Sequence, residues 1–359
     1  MNTYLAYKSN RTYVFQNYIW NRQFYPWRKH PSRPRVPHTP ANALLSGPSV
    51  GGSWDPSDPA PRSVSERFFE KVCPKHERRI INTRDVKPTI PNFDSGKSTF
   101  DTWQKVLAEA PERCIEIQPA SNREDVVPQT FDLWFWGSGK ANEFWEEFRD
   151  SAVSRLLSTS PIVSAAVERN LYALSSRAPK GDRRGSNDPF DQMLAIHIRR
   201  GDFKGACRDR AKYNSTFYSW NLLPFLPDKF PHPPGWDVDR QETIRTYTEH
   251  CFPTKEFLVQ KIRTARNDWV GSANIEKGEQ RHLNTLFILT NAETRWLDDL
   301  KTMLREDGWH HIVTTKDLEL DQQQKDVGMA VDMELARLAA VFIGNGVCIF
   351  LTFNKKTTS

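Results

Sequence analysis

The stretch Met193-Leu194-Ala195-Ile196-His197-Ile198-Arg199-Arg200-Gly201-Asp202-Phe203 holds the residue types best placed to do chemistry in this chain. Its first six residues are apolar except for one histidine. They read as a short buried strand, and Gly201-Asp202 closes it with a turn signal. Two adjacent arginines leave the strand end. In an open α/β sheet ligands bind outside the carboxyl ends of the strands. Guanidinium groups pair bidentately with phosphate. The chemistry implied is anion binding, phosphate above all, at a strand-to-loop junction. A plainer reading stands beside it, in which the arginines are a solvated edge or a structural ion pair with Asp202. The letters Arg-Gly-Asp also occur by chance and carry no adhesion reading.

A strand end can present such a loop only if a sheet holds it, and the second half of the chain supplies one. Leu286 to Leu289 reads as a strand ending at Thr290-Asn291, and His311 to Thr314 as another. Val341 to Ile343 is a third, ending at Gly344-Asn345-Gly346. Between them, helical spacing runs over Thr294–Arg305 and Lys325–Ala340, and over Gln241–Trp269 with a break at Pro253. This alternation predicts a parallel, doubly wound sheet. Residues 203–236 form a Pro- and aromatic-rich insertion.

The first half is less regular. Asn2–Lys8 reads as the tail of a helix stopped at Asn10, and Arg11–Trp20 as a strand rich in β-formers. Residues 22–61 read as a long loop, with a short helix over Ala41–Ser46. Ser63–Val72 has helical spacing with Ser63 as its cap. Cys114–Ile117 and the aromatic run Phe131–Trp136 read as strands, the latter as core. Ala141–Leu157 and Pro161–Leu174 read as helices. Neither Gly47-Pro48-Ser49-Val50-Gly51-Gly52 nor Ser95-Gly96-Lys97-Ser98 has the spacing of a phosphate-cradling loop, so both read as turns. The polar stretch Arg177–Asp188 suggests a boundary, giving domains 1–180 and 181–359.

His-Ile-Arg-Arg-Gly-Asp-Phe resembles the His-x-Arg-Arg signature of the GDP-fucose-dependent fucosyltransferases, in particular a fungal branch of the protein O-fucosyltransferase-like family. That resemblance implies a GT-B fold, with two Rossmann-like domains, parallel sheets and a cleft between them. It implies GDP-fucose as donor, with Arg199 and Arg200 gripping its diphosphate, His197 beginning the motif and Asp202 and Phe203 continuing it; the residue-level alternative for His197 is a satisfied buried imidazole rather than a ligand contact. Thr290-Asn291 is similar to the family's second block, which borders the nucleotide; the residue-level alternative is a plain helix cap. Asp332-Met333-Glu334-Leu335-Ala336-Arg337, followed by Phe342-Ile343-Gly344-Asn345, resembles the third. There Asp332 and Arg337 would reach guanine or ribose, and Asn345 at the strand end would meet phosphate; alternatively Asp332 and Arg337 are unrelated surface charges. The reaction implied is inverting transfer of fucose to a hydroxyl of a protein or glycan, with no cofactor and no metal. Asp237-Val238-Asp239 is the one triplet of metal-loop type, and it reads better as a solvated turn. The family's Gly/Asn-rich first loop has no counterpart here, and residues 347–359 resemble nothing in it, so truncation at both ends is the expectation.

Composition sets the outer limits. The chain has 359 residues, a net charge of +6 and 38% hydrophobic residues; its mean hydropathy is −0.65. The positive balance suits a nucleotide sugar. It also suits nucleic acid, but no helix-turn-helix, zinc-finger or RNA-binding signature accompanies it, so no nucleic-acid partner is expected. No apolar run is long enough to span a membrane, and no leader pattern opens the chain. Sequons at Asn10-Arg11-Thr12 and Asn214-Ser215-Thr216 tilt the location toward a secretory lumen, and the family resemblance implies the endoplasmic reticulum or Golgi. In an oxidising lumen the five cysteines would pair first as Cys207–Cys251 and second as Cys73–Cys114; in a reducing one all stay thiols. Competing with the transferase reading is a non-catalytic relative that binds a nucleotide or glycan, or a remnant.

Overall fold

A computed structural model of the chain describes residues 1–19, 38–119, 129–175, 188–226, 230, 240–273 and 281–344. The protein is α/β with parallel sheets, and it divides into two compact units. One comprises residues 1–164 with 322–330, the other 165–321 with 331–359.

The second unit is built on a four-stranded parallel sheet. Its strands, in chain order, are Met193–Ile198, Thr285–Thr290, His311–Thr314 and Val341–Gly344. Their spatial order is third, second, first, fourth. Sequential strands add outward on one side, then the chain returns to add the fourth strand on the other. The sheet therefore has a topological switch point between its first and fourth strands, where open α/β sheets form their ligand crevice.

The near-continuous apolar run of the first strand follows from its place inside the sheet, covered on both faces. Leu194, Ile196 and Ile198 point to one face. There they join Leu258, Val259 and Ile262 of the helix Lys255–Gly271, and Leu297, Leu300 and Leu304 of the helix Thr294–Glu306. Met193, Ala195 and His197 point to the other face. The break expected at Pro253 is present, separating helices Arg240–Cys251 and Lys255–Gly271; Thr254 caps the second by accepting from Phe257 N at 3.2 Å. The insertion contains a helix the sequence did not announce, Lys204–Lys212. The disulfide Cys207–Cys251 ties it to helix Arg240–Cys251.

The first unit has no comparable sheet among the described residues. Arg79–Asn82 and Ile115–Gln118 form a parallel pair beside the disulfide Cys73–Cys114. Both disulfides thus join the cysteines expected for an oxidising compartment. Asn2–Lys8 is helical as expected, and Asn10 ends it with φ of +52°. Arg11–Trp20 is not one strand: only Val14–Phe15 and Tyr18–Ile19 pair.

Further readings need correction. The helix read over Ser63–Val72 runs over Glu66–Val72 and is capped by Ser65, whose Oγ accepts from Phe68 N at 3.3 Å, not by Ser63. Phe131–Trp136 is not a strand but a turn of helix over Leu133–Trp136, because Asp132 Oδ1 accepts from both Trp134 N and Phe135 N at 3.0 Å. That N-cap outweighs the β-preference of the aromatics. Ser95-Gly96-Lys97-Ser98 is not a turn but the start of the helix Gly96–Glu109, which buries Phe100, Trp103 and Leu107. Its N-terminus holds an anion from the chain itself: the Glu143 carboxylate accepts from Gly96 N at 3.2 Å, Lys97 N at 2.8 Å and Ser95 Oγ at 2.8 Å. Gly96 is required by closeness, since a Cβ there would stand 2.1 Å from the Lys140 carbonyl oxygen. Helix propensity alone favours alanine over glycine. Gly96→Ala is nevertheless expected to destabilise the chain by about 2 kcal/mol. A thermal midpoint at or above wild type would contradict this close packing.

Candidate functional site

The site is built at the carboxyl end of the four-stranded sheet. His197 pairs in register with Leu289 on one side and Gly344 on the other, so it stands beside the switch point. Its side chain is part-buried, and desolvation followed by the nearby Arg199 charge lowers its pKa to about 4. His197 is therefore a neutral imidazole at physiological pH.

Arg199 and Arg200 follow directly, and Gly201 turns the chain with φ of +61° into the short turn Gly201–Phe203 and the helix Lys204–Lys212. The backbone of this loop is pinned from the neighbouring strand. Arg200 N donates to Asn291 Oδ1 at 2.7 Å, and Asn291 Nδ2 lies 3.5 Å from where a Gly201 Cβ would be. Thr290 Oγ1 donates to Ile198 O at 2.7 Å and accepts from Ala292 N at 3.0 Å. Thr290 and Asn291 thus act locally as clips between two strand ends. The following helix, Thr294–Glu306, is preceded by Glu293 rather than capped by either of them.

The two arginines are held differently. Arg199 lies with its guanidinium carbon 4.9 Å from the Phe203 ring centre. The Arg200 guanidinium carbon lies 3.7 Å from the Phe252 ring centre and 4.4 Å from that of Trp296. Its Nη1 also donates to Pro253 O at 2.7 Å. No ion pair between Arg200 and a carboxylate occurs among the described residues. Asp202 belongs to the turn Gly201–Phe203.

The structure separates the third-block residues. Asp332, early in the helix Gly328–Leu338, has its carboxyl enclosed at the end of the third strand, where Thr315 Oγ1 lies 2.9 Å from both of its oxygens. Burial raises its pKa to about 7, against the opposing hydrogen bond from Thr315. The third strand lies two strands from the first, so Thr315, which holds Asp332, follows a strand separated by one other from the strand that carries the arginine loop. Arg337 is not brought to Asp332. It makes a bidentate pair with Glu334, at 2.8 Å from Nε and 2.6 Å from Nη2, and lies farther down the helix. Asn345 and the triplet Asp237-Val238-Asp239 lie outside the described residues.

Three residues that hold the loop were not assigned to the site from the sequence: Phe252, Pro253, read only as a helix break, and Trp296, read only as part of a helix. Their only sequence signal is two aromatics beside predicted helix ends. The arrangement can bind an anion. A cationic loop leaves a buried strand at the switch point, one helix starts next to it, and a neutral imidazole and a near-neutral carboxyl sit along the same sheet end.

No family profile matches this sequence, and no curated protein matches it. Among solved structures, similarity is found to POFUT1 in complex with GDP-fucose, at 13% identity, TM-score 0.42, with 96% of this chain and 84% of that chain covered. The apo form of POFUT1 gives 13% identity and TM-score 0.43, with 96% and 85% covered. These are distant overall likenesses. Among the described residues no helix is long and apolar enough to cross a membrane.

Proposed function

We propose that this chain is a GDP-fucose-dependent glycosyltransferase of the fungal O-fucosyltransferase-like type, with a GT-B arrangement and a place in the secretory lumen. The observation that carries the reading is the Arg199–Gly201 loop, which leaves the first strand of a third-second-first-fourth parallel sheet at its switch point. A diphosphate bound there meets a guanidinium and the start of the helix Lys204–Lys212. The acceptor hydroxyl attacks the anomeric carbon of fucose, the bond from that carbon to the diphosphate oxygen breaks, the hydroxyl proton passes to solvent or to the departing diphosphate, and GDP leaves. Arg199 offsets the negative charge that grows on the leaving diphosphate. Asp332 carries a proton up to about neutral pH, so it can donate as well as accept a hydrogen bond toward the ribose or base. The acceptor class is a protein or glycan hydroxyl.

The expected result is slow release of GDP from GDP-fucose by the purified chain, followed by chromatography of the nucleotide, and abolished in Arg199→Ala. Turnover that survives in that variant would overturn the assignment of the site.

A further inference from the structure

The two arginines of the loop are adjacent in sequence yet differently surrounded, and this divides their labour. We infer that Arg200 is a positioning residue that locks the donor loop onto the Cys251–Pro253 segment, leaving contact with phosphate to Arg199. The inference rests on the donor-site reading above.

Arg200 has extended backbone geometry, φ −126° and ψ −151°. Consecutive side chains on extended backbone leave on opposite sides, so Arg199 and Arg200 do not form one two-pronged grip. The Arg200 guanidinium is part-buried and already engaged by three neighbours. The Phe252 ring centre lies 3.7 Å away, that of Trp296 4.4 Å away, and Pro253 O accepts from Nη1 at 2.7 Å. Aromatic faces attract a guanidinium more strongly once water is removed.

Those neighbours come from separate elements. Trp296 stands in the first turn of helix Thr294–Glu306. Phe252 and Pro253 fill the junction between helices Arg240–Cys251 and Lys255–Gly271. Cys251 immediately before them is bonded to Cys207, one turn into the helix that follows the arginine loop. The main chain of Arg200 is fixed to Asn291 at 2.7 Å. The loop is thus closed on itself, with Arg200 as the point where second strand, junction and disulfide-linked helices meet. Arg199 is presented from a loop that cannot shift while Arg200 is in place.

The test is a double-substitution cycle on the full chain, with GDP as the titrated probe. Arg199→Ala and Arg200→Ala are each expected to weaken GDP binding about tenfold. The double variant is expected to bind no more weakly than Arg199→Ala alone, because a lock has nothing left to position. Losses that multiply in the double variant would show that Arg200 grips phosphate itself and would overturn the inference. Hydrogen exchange without ligand separates the lock from the donor reading. Arg200→Ala is expected to speed exchange of the 199–203 amides while thermal unfolding stays cooperative. Unchanged exchange there would overturn the lock whether or not GDP binds. Failure of wild type to bind GDP, with faster exchange in the variant, would overturn the donor reading and leave the lock standing.

Discussion

Between pH 4 and pH 7 the wild-type chain is expected to have a flatter stability profile than either His197→Gln or Asp332→Asn. Two buried groups at one sheet end titrate in opposite senses. The pKa of His197 falls from 6.5 to about 4 on folding. As pH drops through 6.5 the unfolded chain takes a proton that the folded chain refuses, so stability is full above pH 6.5 and is lost toward pH 4. The gap corresponds to about 3 kcal/mol. The pKa of Asp332 rises from 3.8 to about 7. The folded chain keeps a proton that the unfolded chain releases, so stability falls as pH rises from 3.8 toward 7. That gap corresponds to about 4 kcal/mol. In wild type the two slopes largely cancel. His197→Gln leaves only the Asp332 slope, and the variant should lose stability steadily as pH rises. Asp332→Asn leaves only the His197 slope, and the variant should gain stability over the same range. For a unit of this size each slope amounts to roughly 10 °C in thermal midpoint across the window. Scanning calorimetry at intervals of one pH unit reads it directly. Three parallel profiles would mean that neither group is buried as described.

Removal of either disulfide is expected to cost a similar amount of stability, but only one removal should touch nucleotide binding. Cys73–Cys114 and Cys207–Cys251 close loops with sequence separations of 41 and 44 residues. By the loop-entropy argument each contributes about 4 kcal/mol. Replacing either pair by alanine should lower the midpoint of the unit that contains it by on the order of 10 °C. The pairs lie in different compact units. Cys207 is on the helix that follows the arginine loop, and Cys251 precedes the Phe252-Pro253 junction that holds Arg200. GDP binding should therefore weaken in Cys207→Ala/Cys251→Ala and stay at wild-type strength in Cys73→Ala/Cys114→Ala, measured well below both midpoints. Equal weakening in the two would detach the site from the Cys207–Cys251 link.

What could be read from the sequence was what local pattern determines. Met193–Ile198 and His311–Thr314 have the bounds their apolar runs predicted, and Pro253 breaks the long helix where its missing N–H requires. Misreadings arose where a single cap overrides composition. Asp132 turned an aromatic run into a helix, and Ser95 with the distant Glu143 turned a Gly-Lys-Ser stretch into a helix start. At the site, the anion loop was legible because strand and arginines are contiguous. The different settings of Arg199 and Arg200 were not legible, since Phe252 and Trp296 lie far along the chain and only folding brings them to one guanidinium. The same holds for Asp332 and Arg337. Their spacing leaves the pair open, and it is Thr315, far back in the chain, and Glu334, between the two, that claim them.

The central claim is that the Arg199 loop receives a nucleoside diphosphate. Calorimetric titration of GDP into the wild-type chain and into Arg199→Ala tests it most directly. The account predicts saturable binding by wild type and affinity lower by about tenfold or more in the variant, the loss expected for one charge-assisted pair to phosphate. Equal affinities, or no binding by a folded wild-type chain, would contradict it.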